Sequence, residues 1–287
     1  MKNNKSYQFI SNFILKIIAI FFMTIDHVGI FLQSPEMSQN TQQIGDIFRC
    51  FGRLAFPLFI FIIVEGVRHT KHFGKYALRL GIITTIFLVG QVVFYYCFNN
   101  QVESFYSPLL DALIVAVTIY LLKRKDKYSF LSILSIGFII TSFIVVNVEK
   151  TQNINILWMP FFLRLPYALF DIILALGFYY SKPLARWILL NGGNATENLL
   201  NTPYEREAEN AINALVVLIA SFFFYILFIV SGISYMFTNY QAFAAAACIP
   251  LIFFNGQRGY DKKWFKYGAY LYLPLHILII FLIFTLI

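Results

Sequence analysis

Lys16, Asp26 and His27 sit inside FILKIIAIFFMTIDHVGIFLQ, residues 13–33, a stretch otherwise too apolar to carry ionisable groups without a reason. Eleven residues separate Lys16 from His27. That is nearly three helical turns, so the two share a helix face with roughly 16 Å of rise between them. About 20 apolar residues is the length of a membrane-crossing helix, and ionisable groups at that depth line an interior, a cavity or a substrate path. A cation low and an imidazole high on one buried face read as two stations of a single site. Imidazole is suited to proton exchange near neutral pH, which points to general acid–base chemistry. The plainer alternative is a snorkelling Lys16 near the cytoplasmic end and a hydrogen-bonded structural His27.

A second polar group lies in IGDIFRCFGRLAFPLFIFIIVEGV. Asp46, Arg49 and Arg53 recur on one face, and Glu65 follows twelve residues after Arg53. Asp46 and Arg49, one turn apart, are expected to pair near the outer surface. Arg53 requires either an anionic ligand or an ion pair with Asp26 or Glu65. Pro57 breaks the hydrogen-bond ladder around it. In EGVRHTKHFGKYALRL, Arg68 and Arg79 abut span ends and suit a phosphate of a cytoplasmic ligand. Lys71 and Lys75 suit lipid phosphates, and His69 and His72 receive no role. Arg164 stands between two prolines with Asp171 seven residues on, and these two are expected to pair; Asp111 has no evident mate. Near the C-terminus, NGQRG is a turn with Asn255 at its start and Arg258 at its tip, and His276 follows Pro274. His276 is either a hydrogen-bonded core group or a participant in chemistry.

The elements that must position these residues follow from composition. Hydrophobic residues make up 59% of the chain and charged residues 13%, about half the share in soluble domains. Mean hydropathy is +0.70. The expected fold is all-α, a polytopic transmembrane helix bundle forming a single domain over residues 1–287. Nine spans are predicted, at about 10–33, 44–67, 75–98, 107–122, 128–148, 156–180, 211–236, 240–255 and 264–287. Basic residues fall in alternate loops, with only Lys150 in the opposite set (33–43, 99–106, 149–155, 237–239). The positive-inside rule then predicts a cytoplasmic N-terminus and an external C-terminus in a cell membrane, most simply a bacterial plasma membrane. The net charge of +8 is thus a topology signal, and nucleic acid is not an expected partner. No cleavable signal peptide is expected. Residues 181–210 are predicted as a cytoplasmic loop with a short interfacial segment at 184–190, which keeps the sequon at 194–196 from any glycosylation machinery. Cys50, Cys97 and Cys248 all lie in apolar runs, so neither a disulfide framework nor a metal site is expected.

DHVG at 26–29, GRLAFPLFIFIIVEGVRHT at 52–70 with KYALRL at 75–80, and NGQRG at 255–259 followed by YLPLH at 272–276 together resemble the TraX family. The named activity of that family is N-terminal acetylation of conjugative pilin. The chain is also similar to integral-membrane acyltransferases that acetylate surface glycans, which open with a basic residue, ten residues and a His. Lys16 to His27 reproduces that spacing. The resemblance implies His27 as catalytic base and Lys16 as its basic partner, with acetyl-CoA entering from the cytoplasm as acyl donor. Its coenzyme contacts would fall on Arg53, Arg68 and Arg79. The Arg258 loop, at a span end on the basic side, is a further expected donor contact, and Glu65, His276 and Asn255 are further site candidates without an assigned role. The acceptor would lie outside: a protein N-terminus, a peptide or a glycan. Asp26, beside His27 in the DHVG motif, is the second catalytic candidate; it stands about 100° round the helix, so it need not form a local dyad, and the alternative is that it anchors Arg53 or a neighbouring span. No serine or cysteine nucleophile motif stands out, which favours direct transfer over an acyl-enzyme. Two other readings stay open. One is a proton-coupled transporter using Asp26, His27, Arg53 and Glu65; the other is a non-catalytic assembly factor for surface structures.

Overall fold

A computed structural model of the chain describes residues 7–97, 108–152, 154, 156–192, 200–231 and 239–286. Lys2, Lys5, the 99–106 loop, positions 237–238 and the sequon at 194–196 lie outside these described residues. The fold is all-α: α1 (Asn12–Leu32), α2 (Gln39–Gly52), α3 (Ala55–His69), α4 (Phe73–Cys97), α5 (Pro108–Lys123), α6 (Ser132–Gln152), α7 (Ala168–Asn191), α8 (Pro203–Ser231), α9 (Cys248–Ile252) and α10 (Lys263–Leu286). Short 3₁₀ helices precede α6 and α7, and a nine-residue 3₁₀ helix, Asn239–Ala247, precedes α9. Each of the nine predicted spans is represented by helix. Among the described residues, seven helical stretches are long and apolar enough to cross a membrane, while α5, at 16 residues, and the apolar helix Tyr240–Ile252 are shorter. The protein is a multi-pass membrane helix bundle.

The local start and stop signals have physical causes. Ser11 caps α1, accepting from the Ile14 N–H at 3.4 Å. The amides of Asn12 and Phe13, which a helix start leaves without partners, donate to the carbonyls of Gln257 and Arg258 at 2.9 and 3.1 Å. The NGQRG turn therefore docks by its backbone onto the start of α1. It can do so because Gly256 and Gly259 adopt φ of +72° and +68°, which other residues adopt only under strain. Between α2 and α3 the helix breaks at Arg53–Leu54. The cause lies four residues on, where Pro57 lacks the N–H for the Arg53 carbonyl and crowds it. Proline in the first turn of α3 is well tolerated.

The chain forms two compact units, each assembled from separate stretches of sequence. The first comprises residues 1–62, 176–223 and 239–287; the second comprises 63–175 and 224–238. In the first, α1 and α2 form a hairpin whose approach depends on small residues, as is usual in membrane helix packing. A Cβ on Gly29 would come within 2.9 Å of the Gly45 carbonyl, and one on Gly52 would overlap Asp26. Phe61 meets Phe178 and Phe254 edge to face at 5.3 and 5.1 Å, closing the core of this unit. In the second, Phe170 and Phe224 pack edge to face at 5.4 Å.

Two sequence expectations change. Residues 184–190 are not a separate interfacial segment: α7 continues through Pro183 to Asn191, and α8 begins at Pro203. One proline costs one ladder bond, and Arg186 ties the helix to Glu205 at 2.7 Å and to Asn201 at 3.0 Å. The expected Arg164–Asp171 pair does not form. Arg164 precedes α7 in extended backbone, so no helix face relates it to Asp171. It pairs instead with Glu149 at 2.7 Å and donates to the Met159 carbonyl.

Candidate functional site

Helix α1 is unbroken from Asn12 to Leu32, so Lys16 and His27 do stand three turns apart on one helix. α10 runs beside it in the same direction: Phe13 meets Phe265 near one end and Phe31 stacks on Phe284 near the other. Parallel packing of the first and last helices is what an odd number of crossings requires.

Two polar ties hold these helices together within the apolar stretch. The Thr24 hydroxyl gives its proton to the Ile20 carbonyl at 2.8 Å. Its oxygen is therefore the acceptor for the Tyr272 phenol, 2.7 Å away. One turn further, the Nδ1 of His27 lies 2.8 Å from the Nε2 of His276. The Nδ1 of His276 lies 2.8 Å from the Tyr272 carbonyl. The Tyr272 ring lies nearly parallel to the His276 ring, with centroids 5.1 Å apart and planes 6° apart, and helps lock it. His276 is buried; His27 is half-buried. Spacing explains the match: 24 and 27 are i, i+3 on α1, and 272 and 276 are i, i+4 on α10, the two intervals that share a helix face.

Asp26 points elsewhere, into the α1–α2 interface beside Gly52. Its carboxylate lies 2.6 Å from Arg49 and 3.3 Å from Arg53, with side-chain exposures of 14%, 13% and 4% for the three. Two guanidiniums face one carboxylate across the helix interface. Arg53 is thus the partner of Asp26, one of the alternatives the sequence left open. The expected Asp46–Arg49 pair does not form. Arg49 turns to Asp26, while Asp46 accepts from Gln33 at 2.6 Å and from the Tyr240 phenol at 2.5 Å. An exposed i, i+3 pair contributes only a few tenths of a kcal/mol, whereas a buried carboxylate without a cation is strongly unfavourable. The interface therefore takes the arginine.

The remaining candidates stand apart from this cluster in their local bonding. In the second unit, Glu65 pairs with Arg68 at 2.7 Å, and the ammonium of Lys123 caps the end of α3 on the Val67 and Arg68 carbonyls. Arg79 is half-buried on α4 and forms no ion pair among the described residues. In the first unit, the Arg258 side chain is 73% exposed and 3.7 Å from Asp261, while its carbonyl serves α1. The Asn255 side chain accepts from the Gln257 amide at 2.9 Å, so it holds its own turn. Asp111, without a mate in the sequence, faces Asp171 in the second unit, both fully buried. Among the described residues no group of His, Cys, Asp and Glu forms a metal-ligand set. Sequence reasoning missed Thr24 and Tyr272 and left His276 undecided. The signal available was the matched spacing of Thr24–His27 and Tyr272–His276.

A family model described as "TraX protein" matches residues 11–183, which carry Lys16, Asp26, His27, Arg49 and Arg53. An uncharacterized protein of Rickettsia prowazekii (strain Madrid E) is 30% identical over 156 residues, covering 48% of this chain and 57% of its own length. The chain thus spans little more than half the length of that relative. No solved structure matches the chain.

Proposed function

We propose that this chain, which belongs to the TraX family, is a membrane acetyltransferase that moves an acetyl group from acetyl-CoA to an amine or hydroxyl acceptor, with His27 as general base. The observation that carries this reading is the state of His27. It is a half-buried imidazole within an apolar helix, its Nδ1 engaged by His276 and its Nε2 without a protein partner among the described residues. An ionisable group kept at such depth with one working atom left open is a functional-site candidate by default. In the proposed reaction, His27 Nε2 takes the proton of the acceptor N–H or O–H as that atom attacks the thioester carbonyl. The tetrahedral intermediate collapses, the C–S bond breaks, and the departing thiolate receives the proton held by the imidazole. The guanidiniums of Arg49 and Arg53, held in the α1–α2 interface by Asp26 beside His27 in sequence, are groups of the kind that stabilise developing negative charge, which supports this reading. Donor entry from the cytoplasm and an external acceptor, such as a pilin N-terminus, a peptide or a surface glycan, complete the proposal.

The test is purified protein in lipid nanodiscs with radiolabelled acetyl-CoA: transfer to an added amine, or slow hydrolysis, supports the enzyme. Arg68, Arg79 and Arg258 are then replaced one at a time by Gln. A raised Kd for acetyl-CoA identifies a phosphate contact, and unchanged affinity in all three places the phosphates elsewhere. One observation favours a second reading, proton-coupled transport: the buried Asp111 and Asp171 carboxyls facing one another in the bundle. Protein inert toward acetyl-CoA whose solute flux in vesicles follows a pH gradient and is lost in Asp111→Asn would establish it.

A further inference from the structure

Two nitrogens 2.8 Å apart hold one proton between them, and the second contact of His276 decides whose it is when both rings are neutral. The Tyr272 carbonyl can only accept, so the Nδ1 of His276 carries a proton and donates to it at 2.8 Å. A neutral His276 then has a bare Nε2, which must accept. The bridging proton therefore belongs to the Nδ1 of His27. One proton per neutral ring leaves the Nε2 of His27 bare, its lone pair ready to take a proton. The order is fixed from the backbone outward: Tyr272 carbonyl, His276, His27, open Nε2. The tilt between the two histidine rings, 46° with centroids 4.8 Å apart, marks an in-plane nitrogen–nitrogen contact rather than ring stacking.

Deepening the acetyltransferase reading, on which this step rests, we infer that His276 is the positioning residue of the site: it holds His27 in the one tautomer whose free nitrogen faces the acceptor, and it shares the proton His27 takes up. When His27 Nε2 removes the acceptor proton, the pair carries one positive charge. Moving the bridging proton across 2.8 Å from His27 Nδ1 to His276 Nε2 passes that charge to the second ring, with no atom displaced by more than a bond length. The reverse shift restores it before the leaving thiolate is protonated. The thioester and the acceptor supply all the atoms, and no oxidant or further reactant enters. Tyr272 contributes its carbonyl and its ring, and its phenol fixes α10 against Thr24 one turn away.

The experiment uses full-length protein in nanodiscs labelled with [15N]histidine. The chain has four histidines, so each ring is assigned from single replacements. The nitrogen shifts of His27 should report Nδ1 protonated and Nε2 bare in the resting protein. In His276→Leu the acceptor is gone: His27 should become a mixture of tautomers. Turnover should fall by about 10- to 100-fold, the usual cost of removing the group that fixes a working histidine, with acetyl-CoA affinity unchanged and the pH profile of kcat/KM displaced. In His276→Gln the side-chain carbonyl can accept from His27 Nδ1, so the single tautomer and most of the turnover should return. The positioning role is overturned if His27 keeps its tautomer in folded His276→Leu, or if Gln restores neither tautomer nor rate. These spectra are read without substrate, so wild-type protein that transfers no acetyl group defeats the enzymatic reading and the shared-proton step. The tautomer assignment then still stands or falls on His276→Leu.

Discussion

His27 and Asp26 are adjacent in sequence and do separate work. The first is an imidazole with one nitrogen engaged and one open; the second is a carboxylate consumed by two guanidiniums across a helix interface. Their separation follows from the 100° step of the helix, which sends neighbours to different faces. His27→Gln keeps the size and an amide able to bond His276, but no base. Turnover should fall by about 10² to 10⁴, the range general-base catalysis contributes, while acetyl-CoA affinity holds. Near-wild-type transfer by that variant would return His27 to a structural role. For Asp26 and Arg49 a double-replacement cycle is the informative measurement. Removing one member of a buried pair costs up to about 3–5 kcal/mol, here moderated because Arg53 still faces Asp26. Asp26→Asn and Arg49→Leu should each lower the thermal midpoint in detergent, and the double variant should lose clearly less than their sum. Simple additivity would mean that the 2.6 Å contact carries no coupling.

At the scale of elements, glycine decides how closely things approach. The α1–α2 hairpin brings Asp26 against Gly52, where a Cβ has no room. Gly52→Val should push the helices apart, loosen both arginine contacts and lower thermal stability together with activity. Gly259 is a different case. Its φ of +68° and the Ser11 hydroxyl beside it let the NGQRG turn present carbonyls to the start of α1. Gly259→Ala places a side chain in the left-handed region, at about 1–2 kcal/mol, and crowds the α1 cap as well. Its thermal midpoint should drop, whereas Gly81→Ala on α4, where a Cβ meets nothing within 4 Å, should be neutral or slightly stabilising. Equal effects from the two would remove the special status given to the turn.

The whole molecule sets direction. With α1 and α10 parallel and basic residues in alternate loops, the N-terminus is expected in the cytoplasm and the C-terminus outside. In a background with Cys50, Cys97 and Cys248 replaced by Ser, single cysteines at Glu36 and Thr151 should react with an impermeant maleimide in intact cells. One at Lys125 should react only after permeabilisation. The reverse pattern would put Arg68, Arg79 and Arg258 on the side away from cytoplasmic acetyl-CoA and end the donor proposal.

What the sequence determined is what rests on composition and local period. Apolar runs of membrane length set the helices, the Lys16–His27 interval put both on one face, and Pro57 set the break that frees Arg53 from a continuous helix. Partner choice was settled only in three dimensions. Asp46–Arg49 and Arg164–Asp171 were plausible by spacing, and both lost to partners distant in sequence, Asp26 and Glu149. A buried charge bonds to the best counter-charge its surroundings bring within reach, and helical periodicity describes only its own helix. The same reason hid the meeting of His27 with His276, 249 residues apart. Each is a lone histidine in an apolar helix until the parallel packing of α1 and α10 puts one ring nitrogen against the other.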